Sequence, residues 1–406
     1  MKALIHYFKH IGFIYLILLV IYLVNPYNKG FMAGYLILGL IYTNRKFVLG
    51  NLDKTYFILV VFSFVYAAFY YFNLEQGMQW LIIYATFPPV FYLLGKKMVP
   101  EMEDTKSMGQ LLIFLGIAYS LTGILSVGTN LLEGGFVQLG RSIADFWSGQ
   151  ERLATAMGSY FVFNMSIPGL LIVAKRRLSL IAKLALIGVF ILSLLCVFRL
   201  GSRTQMALAL IGILIGIAYR IKSQNLISNF KFVLVLVVLV ILGINYISID
   251  LDADYLSSLG QRLQESDNAG SAGGRTERWS KSLINLFEKP LGWPVEEFGY
   301  SHNMWFDAAR NGTVISFVLL TIFTVVSIKN IIRALKVNKK ATFLNSIILI
   351  FNIVIFLQFF VEPALESLYI LFAFYCLIQG FINKYTENIL EMDNNNVSVS
   401  IPNQVS

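Results

Sequence analysis

The chain has 406 residues, 57% of them hydrophobic and only 14% charged, where a soluble domain runs near ~45–50% apolar and ~25% charged. A bilayer rather than an aqueous core sets such an architecture, so a soluble-domain reading is excluded. The net charge of +9 would suit nucleic acid, but the basic residues sit at the ends of apolar runs, which excludes that partner and points to membrane lipid.

Apolar runs of roughly 20 residues predict an all-α polytopic membrane protein of about twelve transmembrane helices. They cover about 8–24, 30–47, 55–72, 78–95, 108–127, 156–174, 179–198, 204–220, 230–248, 304–328, 342–361 and 364–383. Residues 11–24 read as an anchor retained on the protein rather than a cleaved leader. Gly30, Gly34 and Gly39 weaken the second run. Pro88-Pro89 and Pro168 are expected to kink the fourth and sixth, which neighbouring helices tolerate by re-satisfying the freed carbonyls. Cys196 and Cys376 lie inside apolar runs and are expected to be free thiols.

The connections set the orientation. With the N-terminus inside, the inner segments carry Lys2 and Lys9, then Arg45, Lys46 and Lys54, then Lys96, Lys97 and Lys106. Further on come Lys175, Arg176, Arg177 and Lys183, then Arg220, Lys222 and Lys231, the basic run from Lys329 to Lys340, and Lys384. Every inner loop is basic, as the positive-inside rule requires. This divides the chain into residues 1–248 (nine helices with an outer loop at 128–155), a long extracytoplasmic loop at 249–303, three helices within 304–385, and a disordered polar cytoplasmic tail at 386–406. The helices themselves carry almost no buried ionisable residue.

The outward basic residues are mostly arginine: Arg141, Arg152, Arg199, Arg203, Arg262, Arg275, Arg278 and Arg310. Lysine suffices to hold a loop inside; arginine suits a bidentate grip on phosphate. The bland alternative, arginines snorkelling to lipid head groups, runs against the bias that otherwise keeps them inside. Arg199 and Arg203, if on one helix, would share a face as an i, i+4 pair. Loop 128–155 carries Glu133, Arg141, Asp145, Trp147, Glu151 and Arg152.

In loop 249–303, a glycine-rich hinge at 267–274 precedes an amphipathic helix. Trp279, Leu283, Leu286 and Phe287 recur at helical spacing, with Arg278, Lys281, Ser282 and Asn285 opposite. The helix is expected to lie flat on the outer bilayer surface, or else merely to cap the bundle. Lys289-Pro290-Leu291-Gly292-Trp293-Pro294 then ends it in a turn. The chain has three histidines, and only His302 falls in an outer segment. It is expected in the first turn of the tenth helix, with Ser301 as N-cap, where an imidazole could take a proton from an attacking hydroxyl. The plain alternative is a hydrogen-bonded interfacial anchor.

The order of these pieces is more specific than any one of them. Ser202-Arg203-Thr204, Gly274-Arg275-Thr276-Glu277-Arg278-Trp279, Pro290-Leu291-Gly292 and Ser301-His302-Asn303, with Gly312 beyond, resemble the O-antigen ligase and O-antigen polymerase superfamily. These are bacterial inner-membrane enzymes that join or extend lipid-linked glycans. Trp293-Pro294 replaces a usual second glycine after the turn. The resemblance implies metal-independent glycosyl transfer, without a cofactor, from an undecaprenyl diphosphate-linked oligosaccharide. It makes Arg203 and Arg275 the charges on the diphosphate and His302 the base. Arg278, Arg199, Arg310, Glu277 and Asn303 are further substrate-binding candidates, and Glu277, Glu362 and Glu366 alternative bases. It also implies a chain-length regulator and a flippase as partners. A polymerase of a surface polysaccharide is favoured over a ligase to a lipid core or protein. A lipid-linked oligosaccharide flippase and a structural scaffold are the readings from other classes.

Overall fold

The computed structural model describes residues 11–72, 74–99, 104–136, 142–174, 177–222, 224–231, 253–257 and 274–399, with Lys9 and Leu234 besides. It is 81% helical, compatible with the expected all-α membrane class, with one two-stranded hairpin among the described residues. The helices that matter below are α1 (Phe13–Val24), α2 (Gly30–Thr43), α3 (Arg45–Gly50), α4 (Lys54–Tyr70), α5 (Gln79–Lys97) and α6 (Thr105–Gly134). A hairpin of β1 (Ser142–Ala144) and β2 (Glu151–Leu153) follows, then α7 (Ala154–Ser159), α8 (Ile167–Ala174), α9 (Leu180–Leu200) and α10 (Arg203–Lys222). Last come α11 (Arg275–Glu288), α12 (Met304–Val337), α13 (Thr342–Val361), α14 (Ala364–Ser367) and α15 (Tyr369–Val399).

Among the described residues five helices, α6, α9, α10, α12 and α13, are long and apolar enough to cross a membrane. That is fewer than the sequence predicts. The stretches α1, α2, α4 and Asn164–Ala174 are apolar but shorter, and the predicted ninth run, 230–248, lies almost wholly outside the described residues. Of the membrane-length helices, α9, α10 and α12 leave rows of apolar side chains outward. On α12 these are Ile315, Val318, Ile322, Val325, Ile328 and Ile332, a helical stripe that only lipid would solvate without penalty.

The chain divides into two compact units, Met1–Leu111 with Ser271–Ala341 and Ile355–Ser406, and Leu112–Gly270 with Thr342–Val354. In the first, α5 lies against α15 at backbone contact. A methyl group on Gly95 would strike the Leu377 carbonyl, and one on Gly380 the Tyr92 carbonyl. Small residues permit such approach where lipid supplies no hydrophobic drive. At the end of α5, Lys96 is buried between Asp53 and Glu387, and Asp53 also caps α4 through the Tyr56 amide at 2.9 Å. In the second unit, Gly212 and Gly216 of α10, spaced as G-x-x-x-G, meet the backbone around Gly169 of α8.

Three expectations are corrected here. The sixth run is not one kinked helix: α7 stops at Ser159, a turn and a short 3-10 segment (Asn164–Ser166) intervene, and α8 restarts at Ile167. Pro168 has no N–H to bond back, so it falls in the first turn, where none is required. Residues from 386 do not begin a structureless tail, because α15 continues to Val399. Thr386 and Ile389 are buried, and Glu387 is fixed by Lys96 at 3.0 Å. Residues 400–406 lie outside the described residues. The loop expected at 128–155 starts later: α6 runs on to Gly134, and Asp145 organises the hairpin by accepting from Trp147 and Ser148 amides and pairing with Arg152 at 3.0 Å.

Candidate functional site

The site grows from α11 and the segment Tyr300–Asn303, both in the first unit. Gly274, in the left-handed region at φ 79°, starts α11, and Lys289 before Pro290 ends it, as the residue before proline resists helical ψ. The helix packs polar side inward. Ser282, Asn285 and Leu286 are buried and Trp279 half-buried, whereas Leu283, Ile284 and Phe287 are exposed, so the predicted apolar face is split between the two sides. Its inner side chains grip the loop ahead of α12. Arg278 donates to the Tyr300 carbonyl at 3.2 Å, Trp279 Nε1 to the Ser301 carbonyl at 3.0 Å, and the hydroxyls of Ser282 and Ser301 are 2.6 Å apart.

His302 sits in that loop and not in the first turn of a helix. Asn303 is the N-cap, accepting from the Trp305 and Phe306 amides, while buried Ser301 serves other bonds. His302 has φ 53°, a left-handed conformation that costs a branched or bulky residue energy and persists only where its surroundings impose it. Asp307, fully buried, imposes it: its two oxygens accept from the Ser301 amide at 2.8 Å and the Asn303 amide at 3.0 Å. The Pro-Leu-Gly turn supports the same region. Thr313, at φ 72°, breaks α12; the Arg310 carbonyl then accepts from Trp293, and Val314 donates to Pro290. Gly292 allows this because any Cβ there would strike the Arg310 carbonyl.

Glu362 joins the two loop segments. It ends α13 in an extended conformation, φ −141° and ψ 151°, as expected before Pro363. One carboxylate oxygen accepts from Arg275 Nη2 at 3.2 Å; the other faces His302 Nδ1 at 3.6 Å, just beyond hydrogen-bond reach. That ring nitrogen is buried without a hydrogen-bond partner. The carboxylate is 7% exposed, but Arg275 and His302 are 23% and 27% exposed. The buried Glu362 carboxylate thus lies between two partly accessible side chains of different chemistry, a guanidinium and an imidazole.

Beside it Arg310 is buried, bonded to Glu75 at 2.7 Å and to Glu366 at 3.4 Å, with its guanidinium over the Tyr300 ring at 5.0 Å. Its charge is already compensated, so it is a strut and not a free phosphate ligand. Glu75, Asp307 and Tyr300 were not among the sequence candidates. Burial pushes the Glu366 carboxyl up to about 8, with the charges of Asp307 and Glu75 adding and Arg310 opposing. In the unfolded chain the same group titrates near ~4.3. Between those values the folded state binds more protons, so stability is fullest at low pH and is lost as pH rises through about 8. The thermal midpoint in detergent should fall from roughly pH 5 to roughly pH 9, and Glu366→Gln should flatten most of that slope. An equal slope in the variant would assign it to other groups.

The remaining candidates are scattered. Arg199 and Arg203 do not share one helix, because Gly201 in the left-handed region separates α9 from α10. Arg199 is buried, its Nε donating to Asn130 at 3.0 Å; Arg203 is exposed at the start of α10. Glu277 points outward to Lys281 at 2.8 Å, which holds its carboxyl below the usual range. Asn303 is engaged as a helix cap. Arg141 and Arg262 lie outside the described residues. Among the described residues no three His, Cys, Asp or Glu side chains group as a metal would need. The loop sequence does hold the alternating carboxylates Asp250, Asp252 and Asp254, which the metal-independent expectation leaves out of account. Asp254 is exposed, and the other two lie outside the described residues.

Fold and site together define a helical protein with membrane-length apolar helices and a polar Arg–Glu–His site at the junction of a surface helix with α12 and α13. No family model and no curated protein matches the chain.

Proposed function

We propose that this chain is a glycosyltransferase of the O-antigen polymerase and ligase type. It would take glycan from an undecaprenyl diphosphate-linked oligosaccharide and extend a surface polysaccharide. In this reading the chain crosses a bacterial inner membrane about twelve times with the site facing out. The observation that carries it is the convergence of Arg275 and His302, from separate segments, on Glu362. His302 takes the proton of an acceptor hydroxyl; that oxygen attacks the anomeric carbon; and the bond to the diphosphate breaks with its electron pair leaving on undecaprenyl diphosphate. Arg275 meets the charge that develops there, an interaction that strengthens in the transition state. Arg203 keeps the same role on the resemblance alone. The exposed Leu283, Ile284 and Phe287 suit a helix lying in the lipid interface, where a lipid-borne donor arrives.

One observation favours a transporter of the same lipid-linked substrate. Lys96, Arg310, Asp307 and Glu366 are buried, against the sequence expectation, and buried ionisable groups can couple movement to ions or protons. Purified, detergent-solubilised protein given a lipid-linked repeat separates the two. A polymerase makes a ladder on a gel, and the ladder should persist with chelator present. A flippase forms no product there, so a ladder would sink the transporter reading, and absence of one from well-folded protein would sink the polymerase reading.

A further inference from the structure

We infer that Glu362 is a positioning residue that passes from Arg275 to His302 when a diphosphate binds, so that donor loading readies the base. The inference rests on the diphosphate-clamp reading above. Its starting point is an unfinished contact. Glu362 engages Arg275 within hydrogen-bond distance, but His302 Nδ1 stays at 3.6 Å and has no other hydrogen-bond partner although buried. The loop leaves little freedom to close that gap from the histidine side, since Asp307 fastens the amides on both sides of the ring and α11 fastens the carbonyls before it. The movable partner is Arg275, a partly exposed side chain on a long flexible stem.

A diphosphate competes directly with a carboxylate for a guanidinium, because both offer paired anionic oxygens to the same planar fork. Drawing Arg275 away leaves Glu362 with its charge uncompensated and buried, which is costly unless another donor takes its place. His302 Nδ1–H is that donor. Once it is bonded, the ring is fixed as the tautomer with Nδ1 protonated, and Nε2 is left free to accept the acceptor's proton, as the orienting group of a base does elsewhere. Without donor, Glu362 is held by Arg275 and the base is not oriented. Asp307 and Glu366 stay engaged with the loop amides and Arg310, so neither replaces Glu362.

The test reads the imidazole and not the product. Full-length protein carrying His6→Gln and His10→Gln, so that His302 alone reports, is labelled with 15N-histidine in nanodiscs and titrated with inorganic pyrophosphate. The expected result is a shift of the Nδ1 resonance to the protonated, hydrogen-bonded position as pyrophosphate saturates. Arg275→Ala should show that position without pyrophosphate, and Glu362→Gln should lose the shift. Where the glutamine variant does not accumulate, Glu362→Asp, which shortens the reach, should lose it equally. Pyrophosphate that binds in an Arg275-dependent way while His302 stays unmoved would overturn the hand-over and leave the clamp standing. Binding that is equal in Arg275→Ala would overturn the clamp itself, and the hand-over with it.

Discussion

Alanine at position 302 is expected to lower the rate of glycan extension by about 10²–10⁴-fold, the usual worth of a positioned general base, with donor binding little changed. The substitution keeps the Cβ and the loop bonds, all of which come from Tyr300, Ser301 and Asn303 and none from the ring. Glu362 keeps its pair with Arg275 at 3.2 Å, so no buried anion is stranded. A fall in kcat without a matching rise in donor KM is therefore the signature. Near-normal extension by His302→Ala would move the base elsewhere. The geometry leaves Glu362 as the replacement, since Glu277 faces outward to Lys281 and Glu366 is enclosed with Arg310.

Much of this site could be read in the sequence because its two ends are local signals. A glycine followed by a helical-period stretch marked α11, and a lone outer histidine next to a helix start marked the loop. The spacing could not reveal Glu362 as their meeting point, which depends on α13 returning to that place. Nor could it reveal Asp307 or Glu75. Asp307 is a single acid near the start of an apolar run, and its role appears only when its oxygens meet the amides on each side of His302. Arg199 and Arg310 stand beside Arg275 among the outer arginines, as further substrate-binding candidates, but burial with internal partners removes them from the surface.

The fold shows the same division. Hydropathy alone locates α9, α10, α12 and α13, since a bilayer demands long apolar runs whatever they pack against. It does not say which face turns inward. For α11, the apolar face was expected to lie on the bilayer surface; Leu283 and Phe287 of it are exposed, but Leu286 is enclosed and Trp279 bonds the Ser301 carbonyl. Where lipid is the solvent, an amphipathic pattern marks two faces without saying which one meets protein. Breaks are missed for a related reason. Thr313 carries no helix-breaking signal, and its left-handed backbone is sustained by the Pro-Leu-Gly turn, which satisfies the amide and carbonyl that the break releases.

Arg275→Ala should cost extension about 10²–10³-fold, the scale of losing one charge-stabilising donor from a transition state, and Arg275→Lys should recover little of it. Lysine restores the charge but not the fork that spans two phosphate oxygens. The simple variant is ambiguous, because Arg275 also faces buried Glu362, and a stranded carboxylate could impair the site by disorder alone. Comparing Glu362→Gln alone with the double variant Arg275→Ala, Glu362→Gln resolves this, since neither strands a buried charge and both lose what Glu362 does for His302. If Arg275 grips the diphosphate, the double variant falls well below Glu362→Gln although the two share a thermal midpoint. Equal activity in the two would reduce Arg275 to a structural partner of Glu362, and the diphosphate would then need another cation, with exposed Arg203 the first to test.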